Sequence, residues 1–249
     1  STVLDACKEN DINIPTLCYL KDINEIGACR LCVVEVENRP GLHASCVLPV
    51  TEGMSVITNS KSIRENRKVN LELILSNHDK KCLTCVRSTD CELQDLSKRF
   101  NVDETRFEGV QTKSILDDFS PSIVRDTAKC IVCRRCVAMC REVQDIGVIG
   151  AYDRGFNTKI GPAFDLSLGS SPCINCGQCI QVCPVGALRE KNDVDRVWEA
   201  ISDTSKTVIV QTAPAVRVAL GEEFGMPIGS NVKGQMVTAL RKLGFDEVY

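Results

Sequence analysis

Two runs of four cysteines, CIVCRRCVAMC at 130–140 and CINCGQCIQVCP at 173–184, repeat the spacing C-x2-C-x2-C-x3-C. Eight thiols held so close together must be either oxidised or given to metal. The whole chain has 16 cysteines in 249 residues, two histidines, one tryptophan and 4% aromatic residues, and no cysteine follows Cys183. No apolar run approaches the roughly 20 residues needed to cross a bilayer, and the start STVLDACKEN lacks the basic-then-apolar pattern of an export signal. This predicts a cytoplasmic chain with no membrane span. A reducing compartment disfavours eight disulfides, so metal is the reading that remains. A net charge of −3 offers no basic excess for nucleic acid. With so few aromatic residues, metal centres are expected to replace part of an ordinary core.

The repeated spacing is that of two-cluster ferredoxins, in which three cysteines of one run share a [4Fe–4S] cluster with the fourth of the other. That rule predicts Cys130, Cys133, Cys136 and Cys183 around one cluster, and Cys140, Cys173, Cys176 and Cys179 around a second. Pro184 follows the second run as the pattern requires, whereas Arg141 stands in that place after the first. A pair of zinc ribbons is the competing reading, but these need C-x2-C knuckles in pairs, which two four-member runs fit poorly.

Two further groups precede the runs. Cys18, Cys29, Cys32 and Cys46 are spaced C-x10-C-x2-C-x13-C, a longer first gap than the plant-type [2Fe–2S] pattern. The small-residue loop Gly27-Ala28-Cys29-Arg30-Leu31-Cys32 suits backbone amides approaching sulfur, and residues 33–37 alternate as a strand. His78, Cys82, Cys85 and Cys91 form H-x3-C-x2-C-x5-C, in isolation a respectable zinc site. Beside a two-cluster module, a [2Fe–2S] and a third [4Fe–4S] cluster become the better readings, with zinc the alternative for each. A helix over 62–77, opened by a Ser62/Glu65 capping box and carrying Ile63, Val69, Leu71, Leu73 and Ile74 as its apolar positions, would deliver His78 at its end. Cys7, in a helix expected between Thr2 and Asn10, is left as a buried structural thiol, and His43, in expected turn chemistry after Gly41, is given no role.

In this order the four groups resemble the electron-input half of [FeFe]-hydrogenases, of the large iron–sulfur subunit of NADH dehydrogenase (complex I), and of related diaphorase and formate-dehydrogenase subunits. The tail separates these families. Thr207–Gln211 reads as a buried strand, Ala213–Gly221 as a helix, and GQMVTALRKLGFDEVY as helix then strand. TAPAVRVALGEEFG and MVTALRKLGFDEVY resemble the opening of an [FeFe]-hydrogenase catalytic domain. The resemblance implies an α+β chain of four parts: a β-grasp [2Fe–2S] domain lacking its first hairpin (1–59), a small helical domain for the histidine-plus-three-cysteine [4Fe–4S] cluster (60–120), a two-[4Fe–4S] ferredoxin domain (121–192), and the beginning of an α/β catalytic domain (193–249). It also implies reversible H2 chemistry in a parent chain. These residues would relay electrons to or from a ferredoxin or an NAD(P)-binding flavoprotein subunit, in a larger chain or multisubunit complex. In that family four further cysteines hold the active-site H-cluster, and none of them lies after Cys183, so the abrupt start and stop are read as those of a fragment. The alternative is a relay subunit of a complex I-like dehydrogenase, a diaphorase or a formate dehydrogenase.

The ligand types set formal charges. An oxidised core with four thiolates carries −2, and one with three thiolates and neutral imidazole carries −1, so the His78 centre should be the easier to reduce. Lys129, Arg134, Arg135 and Arg141 bracket the first run, either as local counter-charge or as an ordinary solvated basic stretch.

Overall fold

The computed structural model describes residues 1–103, 106–108 and 111–249. The chain divides into two compact units, Ser1–Lys191 and Asn192–Tyr249. The first unit opens with helix α1 (Val3–Glu9), capped by Thr2, whose hydroxyl accepts from the Asp5 amide while the Asp5 carboxylate accepts from the Thr2 amide. Val3, Leu4 and Cys7 are its buried face, so Cys7 is a core thiol. Strands β1 (Val33–Val36), β2 (Arg39–Ala44) and β3 (Val56–Ile57) make an antiparallel sheet in the order β2-β1-β3. His43 belongs to β2, opposite Val34, and not to a turn as its distance from Gly41 suggested. The tight Glu37–Asn38 reversal, with Asn38 at φ +62°, lets pairing begin early enough to include it.

Helix α2 (Lys61–Ser76) starts earlier than the Ser62/Glu65 box predicted. Ser60 is the cap: its extended backbone brings its hydroxyl within 3.2 Å of the Ile63 amide, and the same hydroxyl donates to Glu35 at 2.9 Å. The buried positions of α2 also differ from the apolar list. They are Ile63, Arg67, Leu71 and Glu72, while Leu73 is exposed. Two charged side chains therefore share the inner face, and each has polar partners that repeated hydrophobicity does not reveal.

Helix α3 (Glu92–Arg99) follows the His78 group. Strands β4 (Leu116–Asp117) and β5 (Ile123–Asp126) then meet a strand more than 60 residues later, β8 (Leu188–Glu190), in a second antiparallel sheet of order β4-β5-β8. Between them lie the two cysteine runs with short helices α4 (Arg135–Ala138) and α5 (Gln178–Gln181), and the hairpin β6 (Gly150–Tyr152) and β7 (Lys159–Gly161). Residues 101–126, read from sequence only as linker or interface, thus supply two strands, and four of them lie outside the described residues.

In the second unit helix α6 (Val194–Ser202) precedes β9 (Ile209–Val210), α7 (Pro214–Glu223), α8 (Lys233–Leu243) and β10 (Glu247–Val248). Strands β9 and β10 pair in parallel, the α/β arrangement expected of the tail, but β9 is not the buried strand expected over 207–211, since Ile209 is exposed. Pro214 occupies the first turn of α7, where its missing N–H costs nothing, and Gly244 closes α8 at φ +110°. No helix among the described residues is long and apolar enough to cross a membrane.

Candidate metal centres

The N-terminal group folds its four thiols into two pairs. Cys32 and Cys46 lie 3.4 Å apart sulfur to sulfur, and Cys18 and Cys29 share a second hydrogen bond. Hydrogen bonding within each pair holds Cys29 and Cys32 below the ordinary thiol value and raises Cys18 and Cys46 in turn. The Leu17 amide points at the Cys29 sulfur at 3.4 Å and the Cys29 amide at the Cys18 sulfur at 3.5 Å. Arg30, in the left-handed region at φ +55°, helps curl this loop. Two thiol pairs with inward amides suit a two-iron centre, where each iron takes two thiolates and sulfur accepts N–H bonds.

In the ferredoxin runs, the backbone itself repeats. Val132 and Arg134 flank Cys133 at φ +55° and +63°, and Asn175 and Gly177 flank Cys176 at φ +56° and +74°. A β-branched valine in the left-handed region is strained, and it is kept because the reversal turns successive amides inward. The Val132 amide reaches the Cys130 sulfur at 3.4 Å. Such turns form concavities that hold anions. Cys130, Cys133, Cys136 and Cys183 line one cavity with Arg125, Ile149, Ile160 and Val185. Cys179 interacts electrostatically with Cys173, Cys176 and Cys140. Cys136 also interacts electrostatically with Cys179, so the two runs lie close to one another. Burial pushes Cys130 up to about 11 and Cys133 and Cys179 to about 12, with Cys136 also well above the usual value. Buried thiols of this kind would ionise on binding a strong Lewis acid such as a metal ion.

His78 follows the cap Asn77 of α2 and is buried. Burial holds its imidazole below the ordinary value, in the neutral form that ligates metal. One ring nitrogen bonds the Lys129 backbone, while Nδ1 is buried with no hydrogen-bond partner. A ring with one nitrogen fixed and the other orphaned is the usual state of a metal-ligating histidine. Cys91 interacts electrostatically with Cys82 and Cys85. Among the described residues no three His, Cys, Asp or Glu side chains converge on a single ion position.

The sets are joined by contacts that sequence reasoning missed. Asn24, 4% exposed, donates from Nδ2 to the Cys18 carbonyl at 2.6 Å and the Cys133 carbonyl at 3.1 Å. Arg135 makes a bidentate pair with Glu92 at 2.6 and 2.9 Å, tying the residue after Cys91 to the first run. Arg87 donates to the Cys183 carbonyl at 3.4 Å. At Gly186 a Cβ would lie 2.6 Å from the Cys85 sulfur, so only glycine permits this approach. Of the four basic residues flagged around the first run, Arg135 is buried by Glu92, Lys129 pairs with Asp126 at 3.4 Å, and Arg141 is a solvated partner of Glu142. The Arg135–Glu92 pair and Arg125 joined no motif, and no spacing rule would have found Asn24.

Comparison with known proteins divides the chain as the motifs do. Residues 1–61 match the 2Fe-2S iron-sulfur cluster binding domain, 67–106 the NADH-ubiquinone oxidoreductase-G iron-sulfur binding region, 120–189 the ferredoxin-like domain of NADH-quinone oxidoreductase subunit 3, and 206–249 the C-terminal domain of the iron only hydrogenase large subunit. The NADP-reducing hydrogenase subunit HndD of Solidesulfovibrio fructosivorans is 50% identical over all of this chain, and iron hydrogenase 1 of Clostridium pasteurianum 36% identical over all of it. The chain spans 43% and 44% of their respective lengths. A chain of the NAD+-reducing [NiFe]-hydrogenase crystal structure, in the H2-reduced state, aligns with TM-score 0.71 at 29% identity, over 76% of this chain and 80% of that one.

Proposed function

Taking as premise that this chain is the N-terminal iron–sulfur region of an [FeFe]-hydrogenase with the start of its catalytic domain, we propose that it relays electrons for reversible H2 oxidation and proton reduction in a cytoplasmic parent protein. The observation that carries the choice of family is the match of residues 206–249 to the iron-only hydrogenase C-terminal domain, beyond a relay block shared with NADH dehydrogenases. Cys18, Cys29, Cys32 and Cys46 would hold a [2Fe–2S] cluster, and His78, Cys82, Cys85 and Cys91 a [4Fe–4S] cluster. Cys130, Cys133, Cys136 and Cys183 would hold a second [4Fe–4S] cluster, and Cys140, Cys173, Cys176 and Cys179 a third. When bound, these groups supply one-electron redox capacity, so that a two-electron reaction can be fed singly.

The protein's own part is positioning. Inward amides stabilise negative sulfur, the buried neutral imidazole of His78 lowers the charge of its set, and apolar walls exclude water from the Cys130 set. The Asn24, Arg135–Glu92 and Arg87 contacts, with the covalent crossing of Cys140 and Cys183, support the Cys130 set as the common neighbour of the other three. The external partner is a ferredoxin, an NAD(P)-binding flavoprotein subunit, or both within a multisubunit complex.

The test is H2-dependent reduction of a viologen dye by the full-length protein, with iron analysis of this chain. Dye reduction under H2 and about 14 iron atoms per chain are expected. A protein that takes electrons from NADH but none from H2 belongs instead with the complex I-like dehydrogenases. Stoichiometric zinc would remove the His78 set from the relay.

A further inference from the structure

Helix α2 buries a guanidinium that forms no ion pair among the described residues. Arg67 stands one turn after Ile63 and one before Leu71, and is 5% exposed. Its Nε donates to the Leu31 carbonyl at 2.9 Å, and its Nη2 to the Val33 carbonyl at 2.8 Å and the Thr58 carbonyl at 3.3 Å. Leu31 and Val33 are the two neighbours of Cys32. Among the described residues Arg67 forms no ion pair, whereas the other buried charges do: Glu72 with Arg106, Arg125 with Asp117, Arg135 with Glu92.

Carbonyl dipoles accept from Nε and Nη2 of Arg67 but leave its charge uncancelled, and an uncompensated buried charge is strongly unfavourable. It cannot escape by losing its proton. Burial lowers its pKa only to about 10, and the charges acting on it are Arg99, which repels it, and Cys32, which attracts it. A permanent cation is therefore fixed at the backbone on both sides of one candidate ligand.

An oxidised two-iron centre with four thiolates carries −2 and gains one more negative charge on reduction. We infer that Arg67 is the counter-charge of the Cys18, Cys29, Cys32 and Cys46 centre, a positioning residue that grips the Cys32 loop by its flanking carbonyls and favours the reduced state. This rests on the iron–sulfur reading above. Arg125 cannot serve the Cys130 set in the same way, because Asp117 cancels its charge locally.

The test uses the full chain, loaded anaerobically, with Arg67→Lys, Arg67→Gln and Arg67→Met variants. The two-iron centre is followed by electron paramagnetic resonance in a redox titration, at a temperature where [4Fe–4S] signals are broadened away. Arg67→Lys should keep the wild-type midpoint. The two neutral variants should shift the ratio of reduced to oxidised centre at least tenfold toward oxidised at fixed potential, which is 59 mV for a one-electron couple. The remaining centres should not move.

Loaded neutral variants with the wild-type midpoint overturn the inference, as does an Arg67→Lys variant that shifts as far as they do. If the neutral variants lose this centre by iron count while Arg67→Lys retains it, the charge is needed even for assembly and the inference stands. Loss in all three variants assigns Arg67 to packing alone and overturns it. A wild-type chain without a two-iron signal removes the iron–sulfur reading itself and the inference with it, an outcome separate from every variant result.

Discussion

The N-terminal group and the first ferredoxin run surround their thiols in opposite ways. Around Cys18 to Cys46 the sulfurs bond one another and backbone amides, and the buried cation Arg67, bonded to the carbonyls flanking Cys32, forms no ion pair among the described residues. Around Cys130 to Cys183 the walls are largely apolar, thiol values rise through burial, and the buried cation Arg125 is matched by Asp117 at 3.3 Å. The first region is arranged to receive negative charge, and the second to keep water and net charge away. On the proposed iron–sulfur reading, one centre would be held by a counter-charge and the other by insulation.

Four substitutions press on this contrast. Gly186→Ala should act most strongly, because the new methyl meets the Cys85 sulfur at 2.6 Å between the His78 set and the second run; iron per chain should fall by about four atoms, and a full complement would show that the loop yields. Asp117→Ala leaves Arg125 buried and unpaired, and should destabilise the chain by about 3–5 kcal/mol in denaturant unfolding, turning the insulated region into a copy of the Arg67 situation. A loss below about 1 kcal/mol would mean that Arg125 finds relief from water. Asn24→Leu strips two buried carbonyls of their donor, for about 1–3 kcal/mol, and should weaken magnetic interaction between the two-iron centre and its neighbour; unchanged spectra would show that Asn24 is mere packing. The smallest effect is expected from Ser60→Ala, about 1 kcal/mol from the lost cap of α2, measured as a lowered unfolding midpoint with all centres retained.

Much of the local structure was legible. Thr2 and the apolar residues after it announced α1, the alternation after Cys32 announced β1, and the tail showed its strand, helix, helix, strand order. The closeness of the thiols within each run was legible for the same reason: spacers of two or three residues leave a chain few ways to spread them apart. The start of α2 was misplaced because Ser60 and Ser62 both precede plausible helices, and only the bond from Ser60 to Glu35 of β1 distinguishes them. His43 was misplaced because Gly41 reads as a turn until its pairing with β1 is known.

The ties between groups were not legible. Asn24 and Cys133 are 109 residues apart, β5 pairs with β8 across both cysteine runs, and Arg67 sits at an apolar-looking position of a helix. Sequence by itself determined where cysteines recur and at what spacing, because short spacers are a local property. Tertiary structure alone decided which buried charges are answered and which are not, since a guanidinium in a sequence has no address until distant carbonyls and carboxylates are folded against it. That is why Arg125 ends beside Asp117, and Arg67 ends on the carbonyls flanking Cys32 with no ion pair among the described residues.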